Sequence, residues 1–184
     1  MTTRVGVIAD THVPQRRACL PDGIADSFAG VELILHAGDI NLPRVLDELS
    51  RIAPVVAVAG NADPPWLDLP YSRMVQVDGC RIGLTHGHGG WKRYLKNKLT
   101  ERWRRVRYLS YLRYARETFT DVDVIVTGHT HRPHLIYDGN TLLFNPGSAG
   151  PDYYLPALRP TVGLLHIRDG LAQAELIPLQ PFGI

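Results

Sequence analysis

Arg4-Val5-Gly6-Val7-Ile8-Ala9 runs straight into Asp10-Thr11-His12, and this 184-residue chain repeats that arrangement four more times. Leu33–Leu35 leads to His36-Ala37-Gly38-Asp39 and Pro54–Ala59 to Gly60-Asn61-Ala62-Asp63. Arg81–Leu84 leads to Thr85-His86-Gly87-His88 and Asp123–Thr127 to Gly128-His129-Thr130-His131. Short, continuous Val/Ile/Leu runs fit strands buried on both faces. Polar residues at their C-terminal ends are how open α/β sheets build a ligand site.

Working outward, Pro43–Ile52 reads as a helix with Pro43 in its first turn. The second half carries three hairpins: Arg73–Val77 with Arg81–Leu84 around Asp78-Gly79, His134–Tyr137 with Thr141–Phe144, and Thr161–Ile167 with Leu171–Pro178. Asp-Gly is a favoured hairpin pair. The N-terminal half therefore looks βαβ-like and parallel, the C-terminal half antiparallel. Two mixed sheets face to face, with helices outside, would bury both. With no internal repeat and no linker, residues 1–184 read as one α/β domain with a basic helical insertion at about 89–119.

Composition excludes several classes. Hydrophobic residues make up 45% of the chain, too many for a disordered or coiled-coil protein. No apolar run approaches the roughly 20 residues that span a bilayer, so no membrane association is expected. The N-terminus lacks the apolar core and small-residue cleavage site of a secretory leader, which points to the cytoplasm. Cys19 and Cys80 form no Cys-x-x-Cys and are expected as unpaired thiols. Any metal must then be held by nitrogen and oxygen. The net charge of +2 hides a segregation: residues 92–116 hold ten of the 20 Lys and Arg and one acid, Glu101.

Asp10/His12, His86/His88 and His129/His131 share one spacing. Alternation along an extended strand points residues i and i+2 to one side, so each pair is expected to converge. Asp39 and Asn61 each follow a glycine, where the backbone comes close. Any one of these histidines is ordinary as a hydrogen-bonded structural residue. Five clusters at five strand ends point instead to two metal ions sharing a carboxylate, with Mn, Fe, Zn, Ni, Co and Mg all suited to such donors.

As a set, Asp10-x-His12, Gly38-Asp39, Gly60-Asn61, His86-Gly87-His88 and Gly128-His129-Thr130-His131 resemble the calcineurin-like metallophosphoesterase superfamily. Asn145-Pro146-Gly147-Ser148 makes the chain similar to its small single-domain YfcE-like phosphodiesterases. The resemblance implies a four-layer α/β/β/α sandwich with the site at the sheet ends. It implies one metal held by Asp10, His12, Asp39 and His131, and another by Asp39, Asn61, His86 and His129, with Asp39 bridging and manganese the first candidate. It also implies a hydrolase acting on phosphodiester bonds through a metal-bridging hydroxide that attacks phosphorus in line, with Asp39 and Asn61 part of the catalytic centre.

One departure matters. Many members carry Gly-Asn-His-Glu where this chain has Gly60-Asn61-Ala62-Asp63, and Ala62 cannot donate a proton to the leaving group. A good leaving group, or another donor, is then required. His88 is the candidate for a catalytic or substrate-contacting role, against a plain turn residue. Asp63 is expected to steady its loop or orient a histidine, and His36 to lie behind the ligands or in the core. His134 and His166 fall inside strands and are given no function. Ser148 lacks a nucleophile elbow and is read as a turn shaping the pocket.

From Trp91 to Phe119, apolar residues recur at steps of four and three, a helix face with Lys and Arg on the other sides. A break near Asn97–Thr100 is expected, because one helix of that length exceeds the body of the domain. Three readings stand: a solvated basic face; a substrate or nucleic-acid surface, with Arg93 near the pocket; or an interface between copies covering Tyr94, Tyr108 and Tyr111. The second would make the protein a nuclease or nucleotide phosphodiesterase. A non-catalytic binding scaffold of the same fold is the remaining alternative.

Overall fold

A computed structural model describes residues 1–16, 18–90, 104–151 and 159–180, with the backbone alone over 104–110. Its strands are β1 (Thr3–Ile8), β2 (Leu33–His36), β3 (Val55–Ala57), β4 (Ser72–Val77), β5 (Cys80–Thr85), β6 (Val124–Val126), β7 (His134–Asp138), β8 (Thr141–Asn145), β9 (Thr161–Arg168) and β10 (Leu171–Pro178). The helices are α1 (Ile24–Ser27), α2 (Pro43–Ser50) and α3 (Arg104–Thr118), with a 3-10 turn at Pro65–Leu67.

Two five-stranded sheets result, ordered β10-β9-β1-β2-β3 and β4-β5-β6-β8-β7. In the first, β1 runs parallel to β2, with Ile8 opposite His36, and β2 parallel to β3. In the second, β5, β6 and β8 are parallel neighbours. The C-terminal half is therefore not the antiparallel sheet its hairpins suggested. The parallel β5–β6 and β6–β8 contacts join strands distant in sequence, and the last hairpin, β9–β10, leaves to complete the first sheet. Hairpin signals report local pairing only; they carry no information on which sheet receives the hairpin.

Strand alternation sorts the side chains into layers. Val5, Val7, Leu35, Ile82, Leu84, Val126, Phe144 and Leu165 form the core between the sheets. Ile8, Ile34, Phe28, Val45 and Leu49 fill the space between the first sheet and α1 and α2. Ala115 and Phe119, at the end of α3, cover Ile125 and Leu143 on the outer face of the second sheet. Gly83 makes room there: a Cβ on it would lie 2.5 Å from the Phe119 ring. The layers are thus α/β/β/α. Between the sheets Phe144 presses onto Gly163 so closely that a Cβ would lie 2.2 Å from the ring tip.

The ends of the sandwich differ. At one, the β4–β5 and β9–β10 turns meet, Gly170 N–H donating to Asp78 O at 2.8 Å and Asp169 N–H to the Asp78 carboxylate at 3.1 Å. At the other lie the C-terminal ends of β1, β2, β3, β5 and β6. Both cysteines are unpaired, Cys80 buried in the core and Cys19 exposed. Burial raises the Cys80 thiol to about 11. No helix among the described residues is long and apolar enough to cross a membrane.

Residues 91–103, including Arg93 and the expected break at Asn97–Thr100, lie outside the described residues, as do the side chains of 104–110. Helix α3 occupies Arg104–Thr118 of the segment, and Ala115 and Phe119 are buried. Tyr111 corrects one expectation. It is 7% exposed within this chain, so it offers nothing for a second copy to cover.

Candidate metal centre

The first sheet delivers Asp10, His12, Asp39, Asn61 and Asp63; the second delivers His86, His88, His129 and His131. Acids of one sheet face imidazoles of the other across the seam. Asp10, His12, Asp39, His86, His88 and His131 are buried, while Asn61 and His129 are half-buried.

Extended alternation is not what makes the Asp10/His12 and His129/His131 pairs converge. β1 ends at Ile8, and Asp10 and His12 follow in the left-handed region, with φ of 55° and 50°. Asp39, His129 and His131 sit there too, at 59°, 68° and 56°. Such a backbone costs a non-glycine residue about 1–3 kcal/mol and persists where surrounding structure over-determines it. Here backbone bonds do so: Asp10 N–H donates to Gly38 O at 3.0 Å, and His12 N–H to Asp39 O at 2.9 Å. The Asp10 carboxylate accepts the His129 N–H at 3.0 Å. Gly38 and Gly60 permit the closest approach: a Cβ on Gly60 would lie 2.0 Å from Asp39 Oδ1, and one on Gly38 2.7 Å from Gly60 N.

Asp63 steadies the loops. Its Oδ1 accepts the N–H groups of Ile40 and Asn41 at 2.7 Å each, and its Oδ2 those of Asp39 at 2.9 Å and Gly60 at 2.7 Å. Asn41 Nδ2 donates to Ala62 O, and Ala62 N–H donates to Asp39 Oδ1 at 2.8 Å. His36 is buried behind the site, its Nδ1 accepting from Gly38 N–H and its Nε2 3.3 Å from Thr11 Oγ1. Ser148 Oγ lies within hydrogen-bond distance of the carbonyls of Asp10 and Gly150. Asn145 ties Gly128 O to Thr130 Oγ1 through its amide nitrogen, bracing the His129–His131 turn.

Among the described residues, two groups have donor atoms that all lie within 4.8 Å of one another: Asp10, His12 and His131, and Asp10, Asp39 and His86. Asp10 is common to both. Asp39 also reaches both sides, Oδ2 lying 3.5 Å from His12 Nε2 and Oδ1 3.5 Å from His86 Nε2. Asn61 Oδ1 is 3.2 Å from His86 Nε2. The His129 ring stands 5.1 Å from that of His86, and His88 lies 5.3 Å from His86 and 6.3 Å from His129, centroid to centroid.

The residues fit a cation. His86 Nδ1 lies 2.7 Å from Ala37 O, a contact only an N–H can make, so in the neutral ring its Nε2 presents a lone pair. That lone pair faces the oxygens of Asn61 and Asp39, acceptor against acceptor. A positive ion between them satisfies all three. Among the described residues, His12 Nδ1 is buried with no hydrogen-bond partner.

A ligand imidazole must be neutral at the metal, and burial also disfavours the charged form of several imidazoles here. It lowers His12 to about 4 and His88 to about 3, and holds His36 and His129 well below the ordinary histidine range. Burial raises Asp39, with Asp10 adding to the effect and His86 opposing it. At Asp10 burial also pushes upward, but His131, His86 and His12 outweigh it and hold the carboxyl well below the usual range.

Histidines with depressed values contribute stability that is present above their unfolded pKa and lost as pH falls through the folded one. Asp39 has the opposite sign, but four histidines outweigh one acid. In EDTA, the melting temperature is expected to fall by at least about 5 °C between about pH 7.5 and pH 5, followed by circular dichroism.

Sequence reasoning missed three contacts. Arg16 Nη1 lies 3.3 Å from His131 Nδ1 and donates to Pro151 O. Its signal was its place four residues after His12, where a turn returns Arg16 N–H to His12 O. Tyr111 of α3 stands edge-on to His129, centroids 4.3 Å apart, and Tyr71 packs on His88 at 5.5 Å. Neither tyrosine had a spacing that marked it.

Residues 3–170 match the calcineurin-like phosphoesterase superfamily domain. The chain belongs to that superfamily. This member is 37% identical over 175 residues to a "Probable metallophosphoesterase" of Methanothermobacter thermautotrophicus, spanning 94% of this chain and 91% of the relative. A second "Probable metallophosphoesterase", from Methanocaldococcus jannaschii, is 35% identical over 179 residues, spanning 97% and 83%. Among solved structures, Vps29 of Entamoeba histolytica complexed with zinc superposes with a TM-score of 0.69 at 28% identity, over 96% of this chain and 99% of that one. Superfamily membership makes the chain a metallophosphoesterase relative; the donors above are its candidate ligands.

Proposed function

We propose that this superfamily member is a phosphodiesterase that works with two divalent cations, manganese foremost. The observation that supports the reading is His86 Nε2 set against the oxygens of Asn61 and Asp39 across the seam, beside the Asp10, His12 and His131 group. Such cations would supply positive charge to phosphate oxygens and acidify a water. The chain's own residues do the rest. Asp10, His12 and His131 would hold one ion, and Asn61, His86 and His129 the other, with Asp39 reaching both. Asp63 and Asn145 keep the loops from shifting when charge changes between them.

The preference for diesters rests on Ala62. It offers Asp39 a backbone N–H but has no side chain to protonate a leaving alkoxide. His88, buried beside His86 and His129, is our candidate for contact with the leaving group. A non-catalytic scaffold is the second reading, favoured by the likeness to Vps29. The full donor set supports turnover over that alternative.

The test is hydrolysis of bis(4-nitrophenyl) phosphate and 4-nitrophenyl phosphate by EDTA-stripped protein reloaded with Mn, Zn, Fe, Co, Ni or Mg. Cleavage that requires metal and favours the diester by at least about tenfold is expected. A protein that binds these metals and cleaves neither ester is a scaffold.

A further inference from the structure

The rings beside the donors do not stop at the ligands. Tyr111, His129, His86, His88 and Tyr71 follow one another, each ring in contact with the next. Tyr111, at one end, is buried; Tyr71, at the other, is 52% exposed. His88 meets Tyr71 at 70° in an edge arrangement, which covers at most one face of the phenol ring. The backbone under Tyr71 is pinned to both sheets at the site. Pro70 O accepts the Ala59 N–H at 2.8 Å, just ahead of Gly60 and Asn61. Tyr71 O accepts from Thr85 Oγ1 at 3.0 Å, just ahead of His86. An exposed aromatic ring on so constrained a backbone has a defined position relative to the donors.

We infer that Tyr71 is a stacking platform for a planar aromatic group carried by the substrate's phosphate, a nucleobase or a simple aryl ring. The inference rests on the phosphodiesterase reading for what occupies the donors, and it adds the subsite that reads the rest of the molecule. Tyr71 is separated from His86 by one intervening ring, so a substituent that extends past His88 from a phosphate at the donors would reach it. Any flat ring has a π-face to offer a phenol, so the platform selects planarity rather than base identity. It also bears on the missing proton donor for one of these classes: when the ring is an aryl ester, water adds to phosphorus, the P–O bond breaks and the aryloxide released is stabilised by its own ring, so it needs no acid at position 62.

Calorimetry on manganese-loaded protein, with adenosine 5′-monophosphate, phenyl phosphate and ribose 5-phosphate, reads this subsite without turnover. Adenosine monophosphate is expected to bind at least about fivefold more tightly than ribose 5-phosphate. Tyr71→Ala should remove that preference while leaving ribose 5-phosphate unchanged. Tyr71→Phe should keep it, and Trp66→Ala, another exposed aromatic in the same connection, should leave it intact. Phenyl phosphate matching adenosine monophosphate assigns the platform to any aryl group; weaker phenyl phosphate assigns it to nucleobases. Equal binding of all three ligands, no binding of any, or a preference that survives Tyr71→Ala overturns the inference. Should Tyr71-dependent binding appear without metal-dependent hydrolysis, the subsite stands and the phosphodiesterase reading falls.

Discussion

Asp39→Asn is expected to reduce metal-dependent diester hydrolysis on the order of 10³-fold, because one carboxylate serves both halves of the site. Loss of a partner behind a ligand alone costs about 10–100-fold in metal affinity or activity, and a residue facing the ions directly costs more. Asp39 Oδ2 faces His12 Nε2 and Oδ1 faces His86 Nε2, each at 3.5 Å. The amide preserves the shape and one acceptor but removes the negative charge that two cations would share. Burial already disfavours that charge in the metal-free protein, so the neutral amide should leave the fold at least as stable without metal. Initial rates under saturating manganese, beside melting curves in EDTA, separate the two effects. Full activity in Asp39→Asn would show that the donors are not the catalytic centre.

Asp63→Ala is expected to be the most damaging change among residues that need not touch a metal. Four backbone N–H groups lose their acceptor at once, at Asp39, Ile40, Asn41 and Gly60. Losing a charged acceptor of this kind costs about 3 kcal/mol. For a chain of this size that lowers the melting temperature by about 6–12 °C. Metal affinity should drop about 10–100-fold as Asp39 and Asn61 lose their relative position. Asp63→Asn keeps one oxygen, hence at most two of the four bonds, and should fall between wild type and alanine. Differential scanning fluorimetry with and without manganese checks both arms. An alanine variant that melts and binds like wild type would remove Asp63 from the account.

Strand content was legible in the sequence because both faces of the parallel strands are buried, leaving unbroken apolar runs such as Arg4–Ala9 and Asp123–Thr127. The sheet order was not. β9 and β10 look like any hairpin, and their place beside β1 depends on long-range register, Thr3 opposite Ile167, that no local pattern encodes. At the site, residue types and strand-end positions were readable, but the reason for convergence was not. A left-handed φ at an aspartate or histidine leaves no mark in a sequence when the energy that holds it comes from Gly38 O, Asp39 O and the Asp10 carboxylate. Tyr71, Tyr111 and Arg16 were illegible for a related reason. Each reaches the site from a connection or helix whose docking is decided by tertiary packing.

The contact between the Asp78 and Asp169 turns lies at the far end from the donors, and Phe144 seated on Gly163 lies between the sheets. The two sheets that carry the candidate donors are thus tied to each other twice away from the donors, once by backbone hydrogen bonds and once by an aromatic ring filling the place of a side chain. The offset between the acids of one sheet and the imidazoles of the other is a matter of interior packing as much as of the loops that bear them.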